Sequence, residues 1–186
     1  MKKILLLLVL FSSVLFAEAN LYIGAGYAYN SETVSYDGAD KTIDNNAARL
    51  KVGYGERDGY AVEFSFDYVD NKSNIFANPT GSNDGKKYGF NIELLKAWDF
   101  DIFVNPFLKA GFGAGYLETP ADQYNGSLTY GSFNLGGGIF IPLSESIDVE
   151  IAYEYKYLSY QKIDTDLAIN PTANLNIGYI GMNFRF

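Results

Sequence analysis

The residues of this chain best equipped for chemistry are carboxylates and amines set two or four apart within apolar runs. In IDVEIAYEYKY, residues 147–157, Asp148, Glu150, Glu154 and Lys156 share one parity while Ile147, Val149, Ile151, Tyr153, Tyr155 and Tyr157 share the other. A carboxylate pair such as Glu150 and Glu154 could serve in principle as general acid and base. The usual remainder of a catalytic set is missing, because the 186 residues include no His and no Cys to act as base, nucleophile or soft metal ligand. The carboxylates Asp37, Asp40 and Asp44 have neither the spacing nor the closing Glu of a calcium loop. The sequence therefore predicts no enzyme, no metal and no cofactor, and the charged residues need another explanation.

That explanation lies in the elements that carry them. Alternation with a period of two recurs about eight times, which is the signature of strands rather than helices. Leu21, Ile23, Ala25, Tyr27 and Tyr29 oppose Tyr22, Gly24 and Gly26; Ala48, Leu50, Val52 and Tyr54 oppose Arg49, Lys51 and Gly53. Tyr60, Val62, Phe64, Phe66 and Tyr68 oppose Glu63, Ser65 and Asp67, and Tyr88, Phe90, Ile92 and Leu94 oppose Lys87, Gly89, Asn91 and Glu93. The fifth run sets Pro106, Leu108, Phe112 and Tyr116 against Asn105, Lys109, Gly111 and Gly113, and the sixth puts Phe133, Leu135, Ile139 and Ile141 in one phase. The seventh is the stretch quoted above. The eighth ends the chain, with Ile180, Met182, Phe184 and Phe186 against Tyr179, Gly181, Asn183 and Arg185.

The amino terminus says where these strands go. Lys2 and Lys3 precede an apolar run from Ile4 to Phe16, and Ala17-Glu18-Ala19 follows with small residues at a processing spacing. This is the pattern of a secretory signal peptide. It predicts cleavage after Ala17 or Ala19, a signal over 1–19 and a mature domain over 20–186. Losing Lys2, Lys3 and Glu18 takes the net charge from −8 to −9, an acidic balance that disfavours nucleic acid as a partner. The longest uncharged stretch after the signal, residues 123–144, is broken by six glycines and prolines and two asparagines. It is a poor membrane helix, so a role in the bilayer must come from strands.

Connections alternate in length. Residues 55–59, about 98–101 and 142–146 are short hairpin turns, whereas residues 31–46, 70–86, 118–129 and 159–174 read as long polar loops. Short turns on one rim and long loops on the other fit a barrel that crosses an outer membrane. A strand of about 10 residues tilted by about 45° climbs about 23 Å, which matches the apolar band of such a barrel. Tyr29, Tyr68, Tyr116, Tyr155 and Tyr157 fall near one rim, Tyr54, Tyr60 and Trp98 near the other, as two interfacial belts. The inward phase then carries Arg49, Lys51, Lys87, Lys109, Lys156 and Arg185 against Glu63, Asp67, Glu93, Asp148, Glu150 and Glu154. Eight strands enclose a bore just wide enough for side chains to fill, so this set is expected to form a plugging ion-pair network.

The last strand, alternating and closing on Phe184 and Phe186, resembles the carboxy-terminal assembly signal of Gram-negative outer-membrane proteins. The segments NPFLKAGFGAGY, residues 105–116, and residues 147–157 are similar to strands of the small eight-stranded barrels of the OmpA, OmpX and opacity-protein type. The resemblance implies an all-β, eight-stranded antiparallel up-and-down transmembrane barrel, monomeric and surrounded by outer-membrane lipid. It implies delivery by periplasmic chaperones and the barrel-assembly machinery, with long loops extracellular and both termini periplasmic. The expected function is an envelope-structural or surface-interaction role for the loops, with Tyr36, Phe76 and Tyr124 as apolar contacts for an extracellular ligand. A small, narrow porin for ions or small solutes is the alternative, since the inward glycines could leave a thread of water.

Overall fold

The computed structural model describes residues 20–36, 39–71, 84–119, 126–162 and 171–186, the side chains of Tyr36 and Ala39 excepted. Eight strands follow in chain order: β1 (Asn20–Tyr36), β2 (Ala39–Gly55), β3 (Tyr60–Val69), β4 (Lys87–Ala97), β5 (Asn105–Glu118), β6 (Ser127–Pro142), β7 (Ile147–Tyr160) and β8 (Thr172–Arg185). Each pairs antiparallel with the next, and β8 returns to β1 to close the barrel.

The register fixes the width of the bore. One row of partners runs Tyr116, Tyr88, Tyr68, Ala48, Tyr27, Ile180, Ile151, Ile139 and back to β5 at Pro106, ten residues from its start. With strands roughly 4.8 Å apart and rising about 3.3 Å per residue, that stagger corresponds to a tilt of about 40°. The outward phase is the apolar one: Leu50, Phe64, Phe90, Leu108 and Phe133 are all exposed, and Phe112 is 66% exposed. So continuous an apolar wall is stable only against lipid.

Two differences from the sequence reading have one physical cause. Residues 31–36 and 39–46 are not an irregular loop; β1 and β2 stay paired to Tyr36 opposite Ala39. Ile43, which the sequence places among loop residues, is a half-buried part of β2. Above the apolar band the two faces exchange character. Outward there are polar cross-strand bonds, Thr33 Oγ1 to Thr42 Oγ1 at 2.9 Å and Ser35 Oγ to Asp40 Oδ1 at 2.7 Å. Inward lie Glu32, Val34, Leu175 and Ile177, all buried. A hairpin that is polar outside and mixed inside gives no apolar alternation to read, although its ladder is intact.

The boundary is marked by tyrosines whose hydroxyls donate to amides of the neighbouring strand, closer to the loop rim: Tyr27 to Asn46, Tyr153 to Asn176 and Tyr155 to Asn174, at 2.5–2.6 Å. These rings keep their bodies in the apolar band and their polar tips in the headgroup layer.

The inward glycines face neighbouring atoms rather than open space. A Cβ at Gly53 would fall on the Tyr22 ring, and one at Gly181 on the Tyr179 hydroxyl. Tyrosines fill the space at Gly26, Gly53, Gly115 and Gly181, and side chains such as Asn183, Glu93, Asn91 and Glu154 fill it at Gly24, Gly111, Gly113 and Gly136. Gly53→Val should therefore abolish the folded species that migrates differently on a gel before and after boiling, and adding Tyr22→Ala should restore part of it. Equal yields of folded barrel from Gly53→Val and wild type would contradict this packing.

Candidate functional site

Inward side chains of an eight-stranded barrel have nowhere to go but into one another, and they form layers along the axis. At the turn rim lies an aromatic and aliphatic floor, in which Phe107 and Phe140 stack at 4.5 Å beside buried Leu95, Ala97 and Ala61. At the loop end Val34, Val69, Leu117, Leu128, Leu158 and Ala173 form a buried apolar collar. The main body of charged residues lies between.

Nine of the twelve charged residues that the sequence assigns to the bore belong to one connected network. Lys51 bridges Glu63 (2.8 Å) and Glu150; Lys109 joins Glu93 (3.0 Å), Glu154 and, at 3.6 Å, Glu63. Arg49 donates from Nε to Asp67 at 2.6 Å and from Nη1 to Glu154, and Lys156 reaches Asp67 at 2.8 Å. The other three stand apart. Arg185 pairs with Asp148 near the turn rim, and Lys87 pairs with a residue absent from the sequence-based set, Glu32, at 2.7 Å. Arg57, from the β2–β3 turn, also reaches Asp148 at 3.0 Å.

Neutral groups complete the packing. Asn91 Nδ2 donates to Ser65 Oγ and Asp67 Oδ2, Asn134 Nδ2 to Asn91 Oδ1, and Asn183 Nδ2 to Glu150 Oε2, all at 3.0–3.1 Å. Tyr22 donates its hydroxyl to Glu63 Oε2 at 3.0 Å. Rings also face the cations: Arg49 lies 5.0 Å from the Tyr179 centroid, and Lys87 5.0 Å from Tyr130. Such contacts gain strength where water is excluded. A cavity of about 20 Å³, lined in part by Asn30, Glu32, Lys87, Tyr130 and Lys156, lies in the loop half of the bore. It is on the scale of one water molecule.

Glu32 was missed because residue 32 falls in a stretch that reads as loop, and Arg57 because it sits in a turn. The apolar floor and collar were missed because Phe107, Leu95, Leu117 and Leu158 are apolar residues in the phase otherwise reserved for charge. Glu150 and Glu154, the candidate acid–base pair, are each held by cations within the network. Phe184 and Phe186 lie on the outer wall at the turn rim, and the Phe186 amide donates to the Leu21 carbonyl at 2.9 Å. Of the loop contacts, Phe76 and Tyr124 lie outside the described residues, and Tyr36 is described in its backbone alone.

A closed bore of eight strands inside an apolar wall narrows the comparison to one class, and the outer membrane protein beta-barrel domain matches residues 4–186. The chain belongs to that family. It is an outer-membrane β-barrel of the Gram-negative type. A 22 kDa outer membrane protein of Rhizobium leguminosarum bv. viciae is 26% identical over 152 residues, covering 78% of this chain and 66% of the relative. The chain thus spans just under two thirds of that curated relative. Among solved structures, Neisserial surface protein A superposes with a TM-score of 0.68 at 16% identity, covering 90% of this chain and 99% of that one. The attachment invasion locus protein Ail of Yersinia pestis, in complex with the heparin analogue sucrose octasulfate, gives 0.56 at 17% (91% and 99%). OprG of Pseudomonas aeruginosa gives 0.54 at 14% (90% and 96%). These three share the barrel's fold.

Within such a barrel, deleting one charge strands its partners. Lys109→Met leaves Glu93 and Glu154 each short of a cation, and removal of one member of a buried pair destabilises by about 3–5 kcal/mol. Urea unfolding in lipid vesicles should show a lower midpoint for Lys109→Met, partly recovered by adding Glu93→Gln. An unchanged midpoint would mean the network carries no stability.

Proposed function

We propose that this protein is a non-conducting, non-catalytic barrel that displays its loop rim for envelope structure or surface contact. The observation that carries the reading is the filled bore: an ion-pair layer held between an apolar floor and an apolar collar, with the inward glycine gaps occupied by tyrosine rings and by polar side chains of the bore. Ions crossing this path would have to pass Phe107 and Phe140 at one end and Leu117, Leu128 and Leu158 at the other. What remains free to act is the loop rim, presented on a rigid scaffold. In this reading the long loops are extracellular and the turns and termini periplasmic, after cleavage of the signal over 1–19. The protein acts as a monomer, and its binding partner at the surface is an extracellular ligand.

Single-channel recording in planar bilayers tests the bore. Wild type is expected to give no steady conductance, and Arg49→Ala combined with Leu158→Ala to give brief openings at most. A stable, reproducible conductance of the wild type would replace this reading with that of a narrow porin, whose selectivity lining would be the same charges.

Assembly depends in this reading on the last residue, delivered by periplasmic chaperones and read by the barrel-assembly machinery. Deleting Phe186, or Phe186→Asp, should lower the amount recovered in the outer-membrane fraction of a Gram-negative host several-fold. Normal levels of either variant would remove Phe186 from the assembly signal.

A further inference from the structure

The three described turns differ sharply in chemistry. The β2–β3 turn is Gly55-Glu56-Arg57-Asp58-Gly59, and the β6–β7 turn is Leu143-Ser144-Glu145-Ser146, with Leu143 as its single exposed apolar side chain. The β4–β5 turn reads Trp98-Asp99-Phe100-Asp101-Ile102-Phe103. Here Phe100 is 61% exposed and Phe103 81%, with Ile102 and Trp98 exposed beside them. An apolar cluster facing water at the tip of a hairpin is unfavourable, since each such side chain forgoes about 1.5–3 kcal/mol available from burial.

The turn is also built to hold this display. The Trp98 amide donates to the Pro106 carbonyl at 3.0 Å, closing the hairpin. Asp99 Oδ1 accepts from the Asp101 amide at 2.8 Å, and Asp101 takes a left-handed backbone with φ of 57°. Asp tolerates that conformation better than most residues because of such local bonds. The Asp99 carboxylate is thus folded onto the backbone of the turn while Phe100, Ile102 and Phe103 stand exposed to solvent.

We propose that the β4–β5 turn is a membrane-anchoring foot, with Phe100, Ile102 and Phe103 seated in the headgroup–acyl boundary of the leaflet at the short-turn rim. The occupant is lipid because the cluster continues the lipid-facing wall: outward Leu94 on β4 and outward Leu108 on β5 lead into it. The one outward cation on the way, Lys96, is turned onto the Tyr60 ring at 4.7 Å and toward the Asp58 carbonyl. Phenylalanine, isoleucine and tryptophan with flanking carboxylates suit the boundary layer, where water still reaches the polar groups. Anchoring at one of three turns fixes the depth of the β4–β5 side and so the tilt of the whole rigid barrel.

Trp98 is the sole tryptophan, which permits a single-probe test. In a Trp98→Phe background, Phe103→Trp and, as a comparison at the same rim, Glu145→Trp are each refolded into dioleoylphosphatidylcholine vesicles. Folding is verified by the heat-dependent gel shift. The Phe103→Trp probe should emit to the blue of the Glu145→Trp probe, be quenched several-fold more by lipid brominated high on its acyl chains, and resist aqueous acrylamide. Adding Phe100→Ser and Ile102→Ser should shift the probe toward the emission and acrylamide access of the Glu145→Trp comparison while the gel shift persists. Equal acrylamide access at Phe103→Trp and Glu145→Trp overturns the proposal, as does quenching that Phe100→Ser and Ile102→Ser leave unchanged.

Discussion

Lipid offers no hydrogen-bond partners to a backbone, and every other feature of this barrel follows from that deprivation. Strands in a bilayer must pair on both edges, so β8 has to find β1, from Ser35 opposite Thr172 to Tyr22 opposite Arg185. Closure with eight strands and a stagger of ten residues leaves a bore with no freedom of width. Side-chain volume inside is then set residue by residue: where Tyr22, Tyr130 and Tyr179 turn across the bore, the strand facing each ring must carry glycine.

Why that interior should be charged is less obvious, because a well-packed apolar set is often as stable as buried ion pairs or more so. The alternation supplies a reason. A chain apolar in both phases would present long uninterrupted apolar runs, which a cell reads as membrane helices. Lys51, Glu63, Lys109 and Glu154 interrupt those runs in transit and neutralise one another once inside. Hairpin neighbours such as Lys51 and Glu63 meet locally, but the network is completed only when strands distant in sequence have come together: the Arg49–Glu154 and Lys51–Glu150 pairs join residues about a hundred positions apart. The network is therefore a product of closure rather than its cause.

This ordering accounts for what could be read in the sequence. Within the bilayer the solvent on the outer face is fixed, so residues such as Leu50, Phe64 and Phe112 declare their orientation, and by elimination so do Lys51, Glu63 and Lys109. Beyond the bilayer both faces meet water or protein, the code changes, and Glu32 looks like a loop residue although it is a buried strand residue paired with Lys87. Connectivity within the network was not legible at all. Parity places Asp148 and Glu150 on the same wall, yet only the stagger decides that Glu150 meets Lys51 while Asp148 meets Arg185 and Arg57. Likewise the floor of Phe107 and Phe140 is visible only when their two strands are set in register, Phe107 opposite Gly138 and Asn105 opposite Phe140.

The two rims solve the same interfacial problem with different chemistry. At the loop rim, tyrosines are tied by their hydroxyls to Asn46, Asn174 and Asn176, so the apolar band ends in a row of fixed hydrogen bonds and polar strand continues above it. Such an edge resists sinking, because submerging the amides would strip them of water. At the turn rim the aromatic residues of the β4–β5 turn have no such ties and favour deeper seating. One rim sets a limit on immersion and the other draws the barrel toward it. A rigid body held between these opposed tendencies has a defined height in the bilayer, and the paired ends of β1 and β2 stand clear of the lipid because Thr33, Ser35, Asp40 and Thr42 turn polar groups outward there.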